Sequence, residues 1–105
     1  NQQVMQEKIA CLTEIGLQTP AEEIIAALAG MSARPDRTHI LKQAKFTVSF
    51  IIGKRDTIIP IERLFPQVDM PEKSQHTIIE TAGHAGFAEA PLECLKAIEQ
   101  LVSSI

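Results

Sequence analysis

Two titratable side chains stand out by where they sit. Asp56 lies in a polar turn, Lys54-Arg55-Asp56-Thr57, directly after an apolar run that closes at Gly53. His84 lies in a glycine-flanked loop, Gly83-His84-Ala85-Gly86, directly after a second apolar run. In open α/β sheets, functional residues gather on loops beyond the C-terminal ends of strands. An acid and a histidine at neighbouring strand ends can form an Asp-His pair. The carboxylate accepts a hydrogen bond from one ring nitrogen and fixes the tautomer. The other nitrogen is then free to take a proton from a nucleophile. Each residue also has a plainer reading. Asp56 can cap the helix that follows it, and the His84 ring can be satisfied by backbone groups. Their joint placement at two strand ends favours the pair, and Gly83 and Gly86 supply the permissive backbone that a tight loop needs.

The elements that must hold these residues are legible as periodic runs. Val4, Met5, Ile9, Leu12 and Ile15 fall at helical spacing, with Gly16 as the expected stop. Thr19-Pro20-Ala21-Glu22 reads as a capping box that opens a second helix running to Met31. Arg34-Pro35-Asp36 ends that helix, because the residue before proline is pushed out of the α region. A short helix is expected from Asp36 through Ala44. Phe46-Thr47-Val48-Ser49-Phe50-Ile51-Ile52 is aromatic, β-branched and nearly continuous in apolarity, the pattern of a strand buried in a parallel sheet. A helix is expected over Ile61–Val68, weakened by Pro66, and then a loop over 70–74. His76-Thr77-Ile78-Ile79-Glu80 reads as the second strand. Pro91 opens a last helix with the stripe Leu92, Leu95, Ile98, Leu101 and Val102. Glu89 is expected to hydrogen-bond near the start of that helix.

This order predicts an α/β fold with a parallel sheet and right-handed crossovers. Residues 1–40 read as cap-like and connecting helices, and 41–105 as a helix–strand–helix–strand–helix core. Only two strands are visible, and two parallel strands do not make a stable sheet alone. The sheet is therefore expected to be completed by sequence absent from this chain or by another chain. The missing strands point to a C-terminal piece of a larger α/β protein; the first residue is Asn1 rather than Met, so the natural N-terminus is not assumed.

Composition bounds the function. The chain has 105 residues, 45% hydrophobic and 22% charged, with a formal net charge of −3, which excludes a disordered chain. A pI near 5.6 gives no basic footprint, and the absence of Trp and Tyr removes stacking platforms for bases, so nucleic acid is not an expected partner. No apolar run approaches the roughly 18 residues of a membrane span, and no signal peptide is visible at the start. Cys11 and Cys94 read as reduced, partly buried thiols of a cytoplasmic protein. The alternative, a single disulfide, has only the even count behind it.

From about Thr19 to Ile105 the chain resembles the C-terminal part of the α/β-hydrolase family. Phe50-Ile51-Ile52-Gly53-Lys54-Arg55-Asp56-Thr57-Ile58-Ile59-Pro60 looks like the family's seventh strand leading to the acid of the triad. Gly83-His84-Ala85-Gly86-Phe87-Ala88-Glu89-Ala90-Pro91 looks like the Gly-His loop after the eighth strand, with its trailing Glu-x-Pro at Glu89 and Pro91. Met31-Ser32-Ala33-Arg34-Pro35-Asp36 looks like the segment returning from the cap region. The family orders its triad as nucleophile, acid, histidine, and only the last two have counterparts here. The nucleophile elbow Gly-x-Ser-x-Gly is absent. The nearest string, Gly30-Met31-Ser32-Ala33-Arg34, lacks the closing glycine and follows a helix rather than a strand, so Ser32 is not the expected nucleophile.

The resemblance implies part of a serine hydrolase acting on an ester, lactone or related acyl bond, with Asp56 and His84 as catalytic residues. It implies a small ester-like substrate, no cofactor and no metal. The chain is expected to be inactive alone, and to self-associate or pair with a missing N-terminal half. Two alternatives stay open: a non-catalytic α/β-hydrolase-like interaction protein, and a related hydrolase with an Asp nucleophile, such as a dehalogenase or epoxide hydrolase. The helices of residues 1–30 could line an acyl pocket, but core is their favoured reading. Gly53-Lys54 lacks the preceding glycine of a P-loop. His39, His76 and His84 with Asp56 match no metal-ligand spacing. Lys42, Lys45, Lys54 and Arg55 read as solvated charges.

Overall fold

The computed structural model describes residues 2–105. The chain divides into two compact units, one ending at Asp36 and one spanning Arg37–Ile105. The first unit holds helices α1 (Gln2–Gln18) and α2 (Ala21–Ala33). Helix α1 runs through Gly16 instead of stopping there. A glycine inside a helix costs only about 1 kcal/mol relative to alanine. The expected capping box does not form. Thr19 Oγ1 donates instead to the Ile15 carbonyl at 2.7 Å, back onto the last turn of α1. Helix α2 begins after Pro20 with no side-chain cap, and the carboxylates of Glu22 and Glu23 lie in its first turn, where they favour the helix dipole. It ends at Ala33, and Arg34 is extended before Pro35, as proline requires. Neither helix contributes a buried residue, so their apolar side chains are not core within this chain; Leu17 is 84% exposed.

The second unit contains α3 (Thr38–Gln43), β1 (Val48–Gly53), α4 (Ile61–Val68), β2 (Ser74–Ile79), α5 (Gly86–Glu89) and α6 (Pro91–Ser103). Among the described residues the chain is thus mixed α/β, with six helices and two parallel strands. The strands pair from Val48 opposite Ser74 to Gly53 opposite Ile79, with α4 in the crossover between them. The ladder opens with the Val48 amide donating to the Lys73 carbonyl at 2.9 Å. Phe46, expected inside the strand, lies before it and is 66% exposed. Residues 74 and 75 join β2 and pair with Val48 and Ser49. The expectation of a sheet buried on both faces is not met: only Ile52 and Ile79, near the C-terminal ends of the two strands, are buried, because no further strand or helix layer among the described residues covers the rest.

The core is built on small side chains. Ile79, Ala82, Ala90 and Cys94 form one buried cluster, and Ala97 is buried one turn further along α6. Positions 90, 94 and 97 follow helical spacing, so they form the inward face of α6. The bulkier stripe predicted for this helix points elsewhere, and Leu92 is 69% exposed. Alanines let the helix approach the strand ends closely, which brings α6 and the short α5 against the loop that carries His84. No helix among the described residues is long and apolar enough to cross a membrane.

Candidate active site

The strands are parallel and in register at their ends, so the segments leaving Gly53 and Ile79 emerge on the same edge. Backbone hydrogen bonds continue beyond the ladder and tie the two segments together. The Lys54 amide donates to the Ile79 carbonyl at 3.0 Å, and the Arg55 amide to the Ala82 carbonyl at 2.9 Å. Gly53 makes this approach possible. A Cβ there would lie 2.1 Å from the Gly83 carbonyl oxygen and 2.8 Å from that of Ala82, well inside contact distance. The Asp56 amide then donates to the Gly53 carbonyl at 3.2 Å, closing a tight turn that aims the carboxylate across at the other loop.

The Asp56 carboxylate has two jobs, one for each oxygen. Oδ1 accepts from the amides of Ile58 and Ile59, both at 2.8 Å. Oδ2 lies 2.9 Å from His84 Nδ1. The Ile59 amide is the largest influence holding this carboxyl below the ordinary carboxylate range. Partial desolvation opposes it, and the hydrogen bonds from His84 and Ile58 add to it. An ionised carboxylate can only accept, so the proton between the two residues belongs to His84 Nδ1. In the neutral imidazole, Nε2 then carries the free lone pair. The Asp56 side chain is 11% exposed and that of His84 is 50% exposed, so the carboxylate is covered while the ring remains accessible.

The loop around His84 is fixed from the other side by Glu89, the last residue of α5. Its Oε2 accepts from the Gly83 amide at 2.8 Å and its Oε1 from the Ala85 amide at 3.1 Å. Glu89 therefore serves the histidine loop rather than the start of the final helix. Below the pair lies a cavity of about 270 Å³, lined by Asp56 and His84 together with apolar side chains that include Ile52, Leu64, Ile79 and Phe87. No serine or threonine is among its lining residues.

No protein-family model matches the sequence, and no curated protein matches it.

Asp56 and His84 are brought together, and within the second unit His39 and His76 are not brought to them. Ser32 lies near the end of α2, in the first unit. His39 lies in α3. His76 sits in β2 opposite Phe50 and meets the Phe65 ring edge-on, with centroids 6.2 Å apart. Among the described residues no three His, Cys, Asp or Glu side chains are grouped to hold a metal ion. Both cysteines are free thiols, Cys94 buried and Cys11 exposed rather than partly buried. Lys54 and Lys45 are not merely solvated, since they pair with Glu80 and Glu72 across exposed positions. Such surface pairs contribute little.

Proposed function

We propose that this chain supplies the acid and histidine of a serine hydrolase with an α/β-hydrolase fold, acting on an ester, lactone or related acyl bond. The nucleophile and the oxyanion donors come from sequence outside these residues. The observation that carries the reading is the 2.9 Å contact between Asp56 Oδ2 and His84 Nδ1, with the second carboxylate oxygen taken by two amides. A carboxylate so held cannot rotate away from the ring.

In this reading His84 Nε2 accepts the proton from the attacking serine as the new C–O bond forms. It then delivers that proton to the leaving oxygen as the acyl bond breaks, and repeats the exchange with water to release the acid. Asp56 stabilises the imidazolium and holds the tautomer without becoming protonated. The apolar walls below the pair give room for the carbon skeleton of a substrate.

The test uses the protein that carries this chain and a fluorophosphonate probe, which labels activated serines. Labelling is expected at a serine outside this chain, and His84→Gln should slow both labelling and ester hydrolysis by about a thousandfold or more. Ester hydrolysis indifferent to His84→Gln would overturn the proposal. Turnover of a haloalkane or epoxide without any serine labelling would replace it with the Asp-nucleophile chemistry.

A further inference from the structure

We propose that Glu89 is a positioning residue for His84: its carboxylate bridges the amides on either side of the histidine and thereby holds the Nδ1 edge of the ring toward Asp56. The proposal rests on the Asp56–His84 pair described above and goes beyond it, because Glu89 touches neither the ring nor Asp56's carboxylate through any of its hydrogen bonds.

The geometry is a clasp. Residues 83 and 85 flank His84, and the two oxygens of one carboxylate take both of their amides. The Ala85 amide belongs to the peptide group directly after His84, and the Gly83 amide to the one before Gly83, so the carboxylate spans the short backbone segment that carries the Cα of His84 and limits how its Cα–Cβ bond can turn. Ala85 is held at both ends. Its amide donates to the Glu89 side chain, while its carbonyl accepts from the Glu89 amide at 2.9 Å. Gly83 suits this approach, since a Cβ there would sit 3.3 and 3.4 Å from the two Glu89 oxygens, close enough that the carboxylate would have to shift slightly. The clasp is anchored in the core, because the next residue, Ala90, is buried and belongs to the cluster with Ile79, Ala82 and Cys94. Amide-to-carboxylate hydrogen bonds are charge-assisted and short, so two of them make a stiff link between the core and the loop.

The test is nitrogen-15 NMR of the His84 imidazole in the full chain, above neutral pH, in wild type, Asp56→Ala, Glu89→Ala and Glu89→Gln. Long-range proton couplings report which ring nitrogen carries the proton. The wild type is expected to hold it on Nδ1, and Asp56→Ala to abolish that preference. Glu89→Ala should lower the Nδ1-protonated fraction at least about twofold, because the hydrogen bond to Asp56 sets the tautomer. Glu89→Gln, which keeps the volume and one acceptor oxygen, should fall between them. Should Glu89→Ala fail to fold, the glutamine variant decides. Wild-type tautomer fractions in every folded Glu89 variant, with Asp56→Ala still altered, would overturn the clasp and leave the pair intact. An unchanged tautomer in Asp56→Ala, which unlike asparagine leaves no acceptor oxygen, would instead overturn the pair, and with it the catalytic reading. Melting temperature alone would not separate these outcomes, which is why the ring nitrogens are the readout.

Discussion

At the scale of single residues, the carboxylate of Asp56 meets His84 and does not cap α4, whose N-terminus has no side-chain cap; its second oxygen holds the turn ahead of that helix instead. Replacing Asp56 with Asn keeps the shape but presents either a poorer acceptor or an amide donor to the ring. In the protein that carries the nucleophile, Asp56→Asn should lower kcat by about 10⁴-fold, read in steady-state ester hydrolysis. The same carboxyl makes folding sensitive to acid. Its folded-state affinity for a proton is lowered, so its stabilising contribution is fully present above the ordinary carboxylate value, about 3.9. That contribution is lost as pH falls through the lower folded-state value, because the unfolded chain then binds the proton more tightly. Thermal melts of wild type and Asp56→Asn at stepped pH should converge toward the acid end; a stability gap that widens on acidification would contradict the assignment. Asp56 and His84 were legible in the sequence because each follows an apolar run closed by a glycine or a tight turn. Glu89 was legible as a structural hydrogen-bonding residue, but its partners were not, because they are the main-chain amides of Gly83 and Ala85, which carry no sequence signature.

At the scale of elements, what positions the pair is the closeness of two segments leaving one sheet edge. Gly53 sets that closeness. A methyl group at this position meets backbone oxygen rather than a flexible side chain, so the strand ends must part. Gly53→Ala should destabilise by about 1–3 kcal/mol or more, seen as a lower denaturant midpoint at constant slope. An unchanged midpoint would mean the loops can separate without loss. Pro66 is the opposite case. It lies inside the eight-residue α4, where it removes one helical hydrogen bond. Pro66→Ala should raise stability by about 1–2 kcal/mol, after allowing for the extra freedom of the unfolded chain. The same denaturant series measures it. The sequence located every element of this unit except α5, whose single turn is too short for a periodic signal. It misjudged which face of α6 is buried. Hydrophobicity alone favours Leu92, Leu95 and Ile98, but close packing on the strand ends selects the small residues Ala90, Cys94 and Ala97. The fate of Thr19 was open for a related reason. A hydroxyl between two helices can close the first or open the second, and composition does not say which.

At the scale of the whole molecule, the apolar content and the buried set do not match. Helices α1 and α2 contain no buried residue, although Ile9, Leu12, Ile25 and Leu28 lie on them and are each more than half exposed. Isolated helices of this length are marginal in water, because most helical stability comes from packing an apolar face. In the second unit the bulky side of α6 is exposed as well, and the sheet has only two strands, so each strand has one edge with no strand beside it. Exposed strand edges and contiguous apolar surface both drive association. The chain on its own should therefore sediment above its 11.5 kDa monomer mass, with a weighted mass that rises with concentration. Under the proposed function, an added N-terminal half that completes the sheet should compete with that self-association, since the same surfaces would be covered. Residues 2–36 should also exchange their amide hydrogens faster than 37–105 in dilute solution, because no buried contact within α1 or α2 opposes local opening. A concentration-independent 11.5 kDa species, with uniform protection across both units, would show that these faces are stable in water without a partner. It would also remove the main reason to look for the rest of the sheet outside this chain.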